Sequence, residues 1–203
     1  MAPSFSSNSP TKTDVHFTDR EITTERLLLR PFREEDLDRL ADLQSRPEVS
    51  RFLYWEPRSR EESAAALARY MTEDHLEQDD DPLALAIVRH EDSLLLGNAS
   101  VWLRSAEHRQ VEIGYVFHPD AGGQGYATEA ARALVDFAFT QLRAHRVFAR
   151  TDARNTRSAA VLTRLGMRQE AHFREAEIFK GVWGEELVFA ILDREWPRTA
   201  DPA

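Results

Sequence analysis

Between a strand-like run over 110–117 and a helical run that begins after Gly125, the chain reads His118-Pro119-Asp120-Ala121-Gly122-Gly123-Gln124-Gly125. No other segment constrains the fold as tightly. Glycine takes positive φ without steric cost, so three glycines in four residues let the backbone turn sharply and leave the amides of the next helix facing outward. The start of a helix is also its positive dipole end, and such a junction suits a phosphate or pyrophosphate. A P-loop would need Gly-Lys-Ser/Thr at its end, and this loop contains no lysine. A dinucleotide fingerprint fits poorly, because Thr128 stands where the third glycine belongs and antiparallel strands precede the loop. A tight turn without a ligand would account for the glycines alone.

The flanking patterns predict a mixed domain. Arg26-Leu27-Leu28-Leu29-Arg30 reads as a first strand closed by Pro31, which cannot donate a ladder hydrogen bond. A helix should follow, with Glu34, Glu35 and Asp36 in its first turn and Leu37, Leu40 and Leu43 at helical spacing up to Pro47. A second helix is expected over 59–76, capped by Ser59, with Ala65, Leu67, Ala68 and Met71 as its apolar side. Strands over 83–89, 94–103 and 110–117 should form an antiparallel meander. After the long helix, which carries Ala130, Leu134, Phe137 and Ala138 on one face, come a strand over 146–151 and a helix over 155–165 stopped by Gly166. Strands over 167–175 and 185–192 then flank the turn Lys180-Gly181-Val182-Trp183-Gly184. The strand-helix alternation implies parallel pairing in the middle of the sheet. The expected class is α+β: a central mixed, mostly antiparallel, twisted sheet of six to seven strands flanked by about four helices.

Composition sets the outer bounds. The 203 residues are the size of one domain, and 42% apolar residues with eleven Phe and four Trp can supply a packed core. Residues 1–20 read as a flexible tail rich in Ser, Thr, Pro and Asn, 21–197 as the domain and 198–203 as a second tail. The formal charge of −9 disfavours a nucleic-acid partner held by phosphate neutralisation and suits a cationic acceptor better. There is no cysteine, which fits a reducing, cytoplasmic setting, and no apolar run of membrane-spanning length. The seven histidines include no pair at ligand spacing such as His-x-x-x-His, so no metal is expected. Six acids between Glu73 and Asp81 read as a solvated loop or as a rim for a cation.

The junction and its surroundings resemble the GCN5-related N-acetyltransferases. Their acetyl-coenzyme A loop has the form Gln/Arg-x-x-Gly-x-Gly/Ala, here Gly122-Gly123-Gln124-Gly125-Tyr126-Ala127, followed by Thr128-Glu129-Ala130. Gly122 departs from the first position, which removes a side-chain contact and leaves the amides. The resemblance covers about 22–196. Thr24-Glu25-Arg26-Leu27-Leu28-Leu29-Arg30 is similar to the family's opening strand, Val111-Glu112-Ile113-Gly114-Tyr115 to its fourth strand, and Asn155-Thr156-Arg157-Ser158 with Leu165-Gly166-Met167 to its Asn-x-x-Ser/Ala…Leu-Gly-Phe segment. Arg174-Glu175-Ala176-Glu177 and the turn bearing Trp183 resemble the branch that acetylates ribosomal-protein N-termini.

The resemblance implies a direct acetyl transfer from acetyl-coenzyme A to an amine. A bulge in the fourth strand would present the amide of Val116 or Phe117 to the thioester carbonyl, and residues 122–128 with Asn155 would hold the coenzyme. Leu162 stands where many members carry an acid tyrosine, which turns attention to Ser158 as the proton donor. Glu177 is the first candidate base and Glu112 the second. Bland readings stand beside these: an N-cap for Asn155, a helix-surface serine for Ser158 and a salt-bridged strand residue for Glu112. Six arginines at 143, 146, 150, 154, 157 and 164 could meet the ribose phosphate or serve solubility. Tyr54 and Trp55, in the aromatic loop 51–57, and Trp183 are the expected acceptor contacts, although aromatic residues there could equally plug a core. The acceptor is a protein N-terminus or a small molecule such as an antibiotic, polyamine or amino acid. A non-catalytic acyl-coenzyme A-binding module, a longer acyl group and a homodimer stay open.

Overall fold

The computed structural model describes residues 21–197, so the expected tails at 1–20 and 198–203 lie outside the described residues. Eight strands form one sheet: β1 (Ile22–Thr23), β2 (Leu27–Arg30), β3 (Asp81–Arg89), β4 (Leu95–Ser105), β5 (Gln110–Phe117), β6 (Arg146–Asp152), β7 (Arg168–Phe179) and β8 (Val182–Leu192). Their order is β1-β2-β3-β4-β5-β6-β8-β7. The mixed class stands, with one strand more than expected, because Ile22 and Thr23 pair with Leu29 and Leu28. Every neighbouring pair is antiparallel except β5 and β6.

The sheet is covered on both faces, and β3 shows why. Its residues 83–88 are all buried, and successive side chains point to opposite faces. Ala84, Ala86 and Val88 pack with Phe32, Leu40, Leu43 and Leu67, so α1 (Leu37–Ser45) and α3 (Arg60–Tyr70) cover one face. Leu83, Leu85 and Ile87 join a larger cluster with Leu134, Phe137, Val161 and Leu162, so α4 (Tyr126–Thr140) and α5 (Thr156–Arg164) cover the other. A one-turn helix, α2 (Pro47–Ser50), makes the fifth helix, with Pro47 as its first residue, two positions past the end of α1.

Two boundaries differ from the sequence reading, at the end of α3 and at the final turn. Helix α3 stops at Tyr70 instead of Leu76, because the chain turns back to the sheet: Glu73 O accepts from Ala84 N at 2.9 Å, and Leu76 is buried. Its buried side is Ser63, Ala66 and Leu67, while Ala65, Ala68 and Met71 are exposed. The final turn is also shorter than expected. Lys180 (φ 48°) and Gly181 (φ 80°) form a two-residue hairpin link with both φ positive, so Glu177 and Trp183 belong to strands. The acidic segment builds its own loop: Asp81 accepts from the amides of Glu77 and Gln78, and Asp79 from that of Ala106. That is the solvated-loop reading.

One break in the sheet's pairing positions the site. β5 pairs with β6 only at 110–112 against 146–148, while β5 stays on β4 up to Phe117 and β6 stays on β8 up to Asp152. Beyond Glu112 the two strands part and the sheet opens into a V.

Candidate active site

The parting of β5 from β6 leaves one edge of β5 without a strand partner. The expected bulge is not present there, since the β4–β5 register runs unbroken from Gly97↔Phe117 to Leu103↔Val111 and its irregularity lies between Leu103 and Ser105. Close approach replaces the extra residue. A Cβ on Gly97 would lie 2.1 Å from the carbonyl oxygen of Val116 and 3.0 Å from Cα of Phe117, so only glycine lets β5 sit this near β4. His118 N donates to Leu96 O at 2.7 Å. Backbone groups alternate along a strand, so the amide of Val116 faces β4 and that of Phe117 faces the opening. Of the two amides expected to meet a carbonyl, Phe117 is the one so aimed.

The glycine loop closes one end of this opening. Gly123 (φ 77°) and Gly125 (φ 83°) adopt left-handed backbone, and Gly125 caps α4. The first helical bond shown is Glu129 N to Gly125 O, so the amides of Tyr126, Ala127 and Thr128 precede it and point out of the helix start. Gly122, Gly123, Gln124 and Gly125 are exposed. The loop is held from behind by residues that sequence reasoning missed. The Arg26 guanidinium donates to Gln124 O at 2.9 Å and lies 4.6 Å over the Tyr126 ring. Glu129 accepts from the Arg26 amide, the Arg26 Nε and the Thr24 hydroxyl. Burial raises the Glu129 carboxyl, but the bonds from Thr24 and Arg26 outweigh it and hold it below its ordinary value. Of the arginine cluster, only Arg164 is seen on the loop's helix, donating to Thr128 Oγ1 at 2.7 Å. Arg146, Arg150 and Arg154 pair with Glu170, Glu112 and Asp152.

At the start of α5, Asn155 Oδ1 accepts from Ser158 N at 3.2 Å, which is an N-cap. The Ser158 hydroxyl is not bonded back into the helix; it lies 3.2 Å from the hydroxyl of Tyr115, which projects from β5. Burial pushes the Tyr115 phenol up to about 12, so it keeps its proton at neutral pH. Leu162 sits in the core. A phenol is therefore present near α5, but it comes from β5, and its place in the strand pattern gives no sign of this.

The opposite face of the opening carries the acceptor-side candidates. Glu112 is held by Arg104 at 2.7 Å and by Arg150 at 2.9 Å, the salt-bridged arrangement. Glu177 accepts a 2.5 Å hydrogen bond from Tyr54, which also meets Phe179 edge-on. Glu186, on β8, is not singled out by the sequence; it lies 4.0 Å from Arg150. Burial pushes its carboxyl up, against the pull of Arg150 and with reinforcement from Glu112 and Glu177. Lys180 clasps the aromatic loop, donating to Ser50 O and Trp55 O at 2.9 Å each. Trp55 is half-buried under Arg58, and a cavity of about 340 Å³ lies beside it, lined by Arg51, Glu56, Arg154, Phe179 and Val182 among others. Trp183 does not join this group. It pairs with Ile178, one residue out of phase with Glu177 and Phe179, so both project from the other face of the hairpin and are exposed.

A larger cavity, about 600 Å³, lies between β1 and α4 beside Ile22, Arg132 and Phe137, and its wall includes Thr24 and Glu129, which hold the glycine loop from behind. Among the described residues no group of three or more His, Asp or Glu could hold a metal ion, and no helix is long and apolar enough to cross a membrane.

Comparison with known proteins gives the geometry a context. A family model described as "Acetyltransferase (GNAT) domain" matches residues 26–168. The "uncharacterized N-acetyltransferase YnaD" of Bacillus subtilis is 31% identical over 175 residues, covering 86% of this chain and 98% of that one. The "[Ribosomal protein uS5]-alanine N-acetyltransferase" of Escherichia coli is 26% identical over 182 residues, covering 86% and 92%. The crystal structure of a GNAT-family acetyltransferase from Bacillus anthracis superposes with a TM-score of 0.78 at 27% identity, over 87% of this chain and all of that one.

Proposed function

We propose how this chain, which belongs to the GNAT acetyltransferase family and is an N-acetyltransferase moving an acetyl group from acetyl-coenzyme A to a primary amine, performs that transfer, and on which amine. The carrying observation is the V between β5 and β6, with outward amides at 122–128 on one side and the Glu177–Tyr54 pair on the other.

The coenzyme fits the residues present. A Cβ on Gly123 would meet nothing within 4 Å, Gly125 caps the helix in a left-handed turn, and the amides of Tyr126, Ala127 and Thr128 face a pyrophosphate from the positive helix end. Acetyl-coenzyme A supplies the activated acyl group and a thiolate leaving group when bound. The Phe117 amide donates to the oxygen on which negative charge builds. Ser158, its Oγ accepting from Tyr115, directs its own proton toward the departing sulfur. Glu177 takes the proton of the incoming ammonium, with Glu112 the second candidate and more firmly engaged by its two arginines. Asn155 holds Ser158 through the cap. The catalytic unit lies within 21–197.

For the acceptor we favour a protein N-terminus. Of the carboxylates around the mouth, Glu112 is engaged by arginines, Asp152 by Arg154 and Glu177 by Tyr54, and Glu186, 4.0 Å from Arg150, is the one weakly paired, which falls short of the bare acidic strip a polyamine would use. Tyr54 is 76% exposed at the mouth, where a peptide backbone and a first side chain could lie against its ring. The test is a panel of N-terminal peptides, the same peptides blocked at the N-terminus, and polyamines, read by release of coenzyme thiol. The protein has no cysteine, so a thiol reagent reports only the product. Turnover confined to free N-terminal peptides supports the reading; turnover confined to polyamines contradicts it.

A further inference from the structure

We propose that the cavity beside the aromatic loop is a subsite for a carboxylate of the acceptor, with Arg51 as the residue that holds it, so that the chain acts on N-termini carrying Asp or Glu at the second or third position. This deepens the reading of a protein N-terminus as the acceptor and rests on it.

The cavity, about 340 Å³, has the size of a small ligand site and lies next to the candidate base. Phe179 forms part of its wall, and Glu177 projects from the same face of β7 two residues earlier. Tyr54 spans the two, bonded to Glu177 and with its ring edge-on to that of Phe179 at a centroid distance of 5.2 Å. Two residues along a strand cover about 7 Å, and two residues of an extended peptide cover the same. A chain whose terminal amine meets Glu177 therefore brings its second or third side chain to the cavity. The α-carboxylate of a free amino acid, attached to the carbon that bears the amine, is too close to make that step.

Charge decides what the cavity takes. Arg51, Arg154 and Lys180 line it, with Glu56 as the one carboxylate in its wall. Lys180 is fully engaged, donating to Ser50 O and Trp55 O at 2.9 Å each and lying 3.3 Å from Glu56. Arg154 binds Asp152 through Nε at 2.9 Å and Nη2 at 2.6 Å. Arg51 is left. It is exposed and has no carboxylate partner among the described residues; its guanidinium lies 5.0 Å over the Phe52 ring, which Arg154 also approaches, at 6.0 Å. The Asp152 carboxyl is held below its ordinary value chiefly by its bonds from Arg154, and the charge of Arg51 adds to this, so two guanidinium groups stand around one carboxylate.

A guanidinium offers paired N–H groups that fit a carboxylate two at a time, and Pro47, Pro57 and Phe179 beside it limit screening by water. The formal charge of −9 points toward a cation, but it is spread over the molecule and screened beyond about 8 Å at physiological salt. In the cavity the unpaired charge is positive.

The experiment compares kcat/KM for N-terminal peptides that differ only at positions two and three, carrying Asp or Glu, Ala, or Lys there, and for free aspartate and glutamate, in wild type, Arg51→Ala and Arg51→Glu. Expected for wild type is a preference of about tenfold for acidic over alanine peptides, the size of one charge-assisted hydrogen bond, shrinking as salt is raised. In Arg51→Ala the preference falls to within about twofold, the little that an already paired Arg154 supplies at the surface. In Arg51→Glu it passes to the lysine peptides, a reversal that loss of structure does not produce. The dissociation constant for acetyl-coenzyme A is the same in all three proteins. Equal use of acidic and alanine peptides by wild type overturns the proposal, as does an acidic preference that both variants leave intact, faster turnover of free aspartate than of any peptide, or weakened coenzyme binding in Arg51→Ala. Should the variants fail to fold, the wild-type peptide series still decides, since an acidic preference that salt does not reduce also overturns it. Turnover of polyamines and of no peptide overturns the acceptor reading itself, a distinguishable result.

Discussion

The Tyr54 hydroxyl donates a 2.5 Å hydrogen bond to Oε1 of Glu177, joining the aromatic loop to β7 across 123 positions of sequence. This bond to the carboxylate pushes the Tyr54 phenol up to about 12, so Tyr54 stays a donor throughout the neutral range. With Lys180 bound to the carbonyls of Ser50 and Trp55, it is the second tie between hairpin and loop. Tyr54→Phe removes the bond and leaves the ring. We expect the acceptor KM to rise about fivefold, within the range of one ordinary hydrogen bond, while the coenzyme KM stays constant. Steady-state kinetics with each substrate varied in turn checks it; a change confined to the coenzyme would count against the assignment.

The Tyr115–Ser158 pair predicts a non-additive result. Ser158→Ala should lower kcat by about 10²-fold, the lower end of what a positioned proton donor supplies. Tyr115→Phe should lower it less, since the serine remains but loses its 3.2 Å partner. In the double variant, Tyr115→Phe should add little to Ser158→Ala, because the phenol acts through the serine. Two full effects that multiply would show independent roles.

Gly97 and Gly123 separate space from conformation. An alanine at 97 would place Cβ 2.1 Å from Val116 O, so Gly97→Ala should cost about 1–3 kcal/mol by overpacking and displace the Phe117 amide, lowering kcat. Gly123 has open space around it but φ of 77°, so Gly123→Ala should cost about 1 kcal/mol in backbone strain. Its loss should fall on coenzyme affinity. Denaturant unfolding and coenzyme titration of both variants check the split.

Glu186 gives a prediction of sign in pH. Its carboxyl is raised in the folded protein, chiefly by burial, so the folded state binds its proton more tightly than the unfolded chain. The stability this gives is present below the unfolded value and is lost as pH rises through the folded one. Glu186→Gln carries no such loss, so its melting temperature relative to wild type should be higher at pH 7 than at about pH 4. A difference that shrinks as pH rises would reverse the assignment.

Much of this is legible in the residues. The glycine junction, the seven longer strands and the helix starts at Ser59, Gly125 and Asn155 follow from turn chemistry and periodicity, which act over a few neighbours. The two-residue strand β1 is too short for a pattern to show. The end of α3 is hidden because Leu76 continues a helical spacing yet is buried by a return to β3. Site residues that depend on long-range pairing are least legible. Nothing near Tyr115 indicates Ser158, 43 positions on, and nothing near Arg26 indicates Gln124. Trp183 is placed by the two-residue link and the strand alternation that follows it, opposite Ile178 and away from the face that carries Glu177 and Phe179.

Calorimetric titration of the purified chain with acetyl-coenzyme A bears first on the coenzyme loop, from which the other roles follow. We expect one site per chain with an affinity of roughly micromolar order, as befits a helix start and loop amides holding a pyrophosphate. Folded protein that releases no binding heat and yields no complex would overturn the assignment of residues 122–128 and everything derived from it.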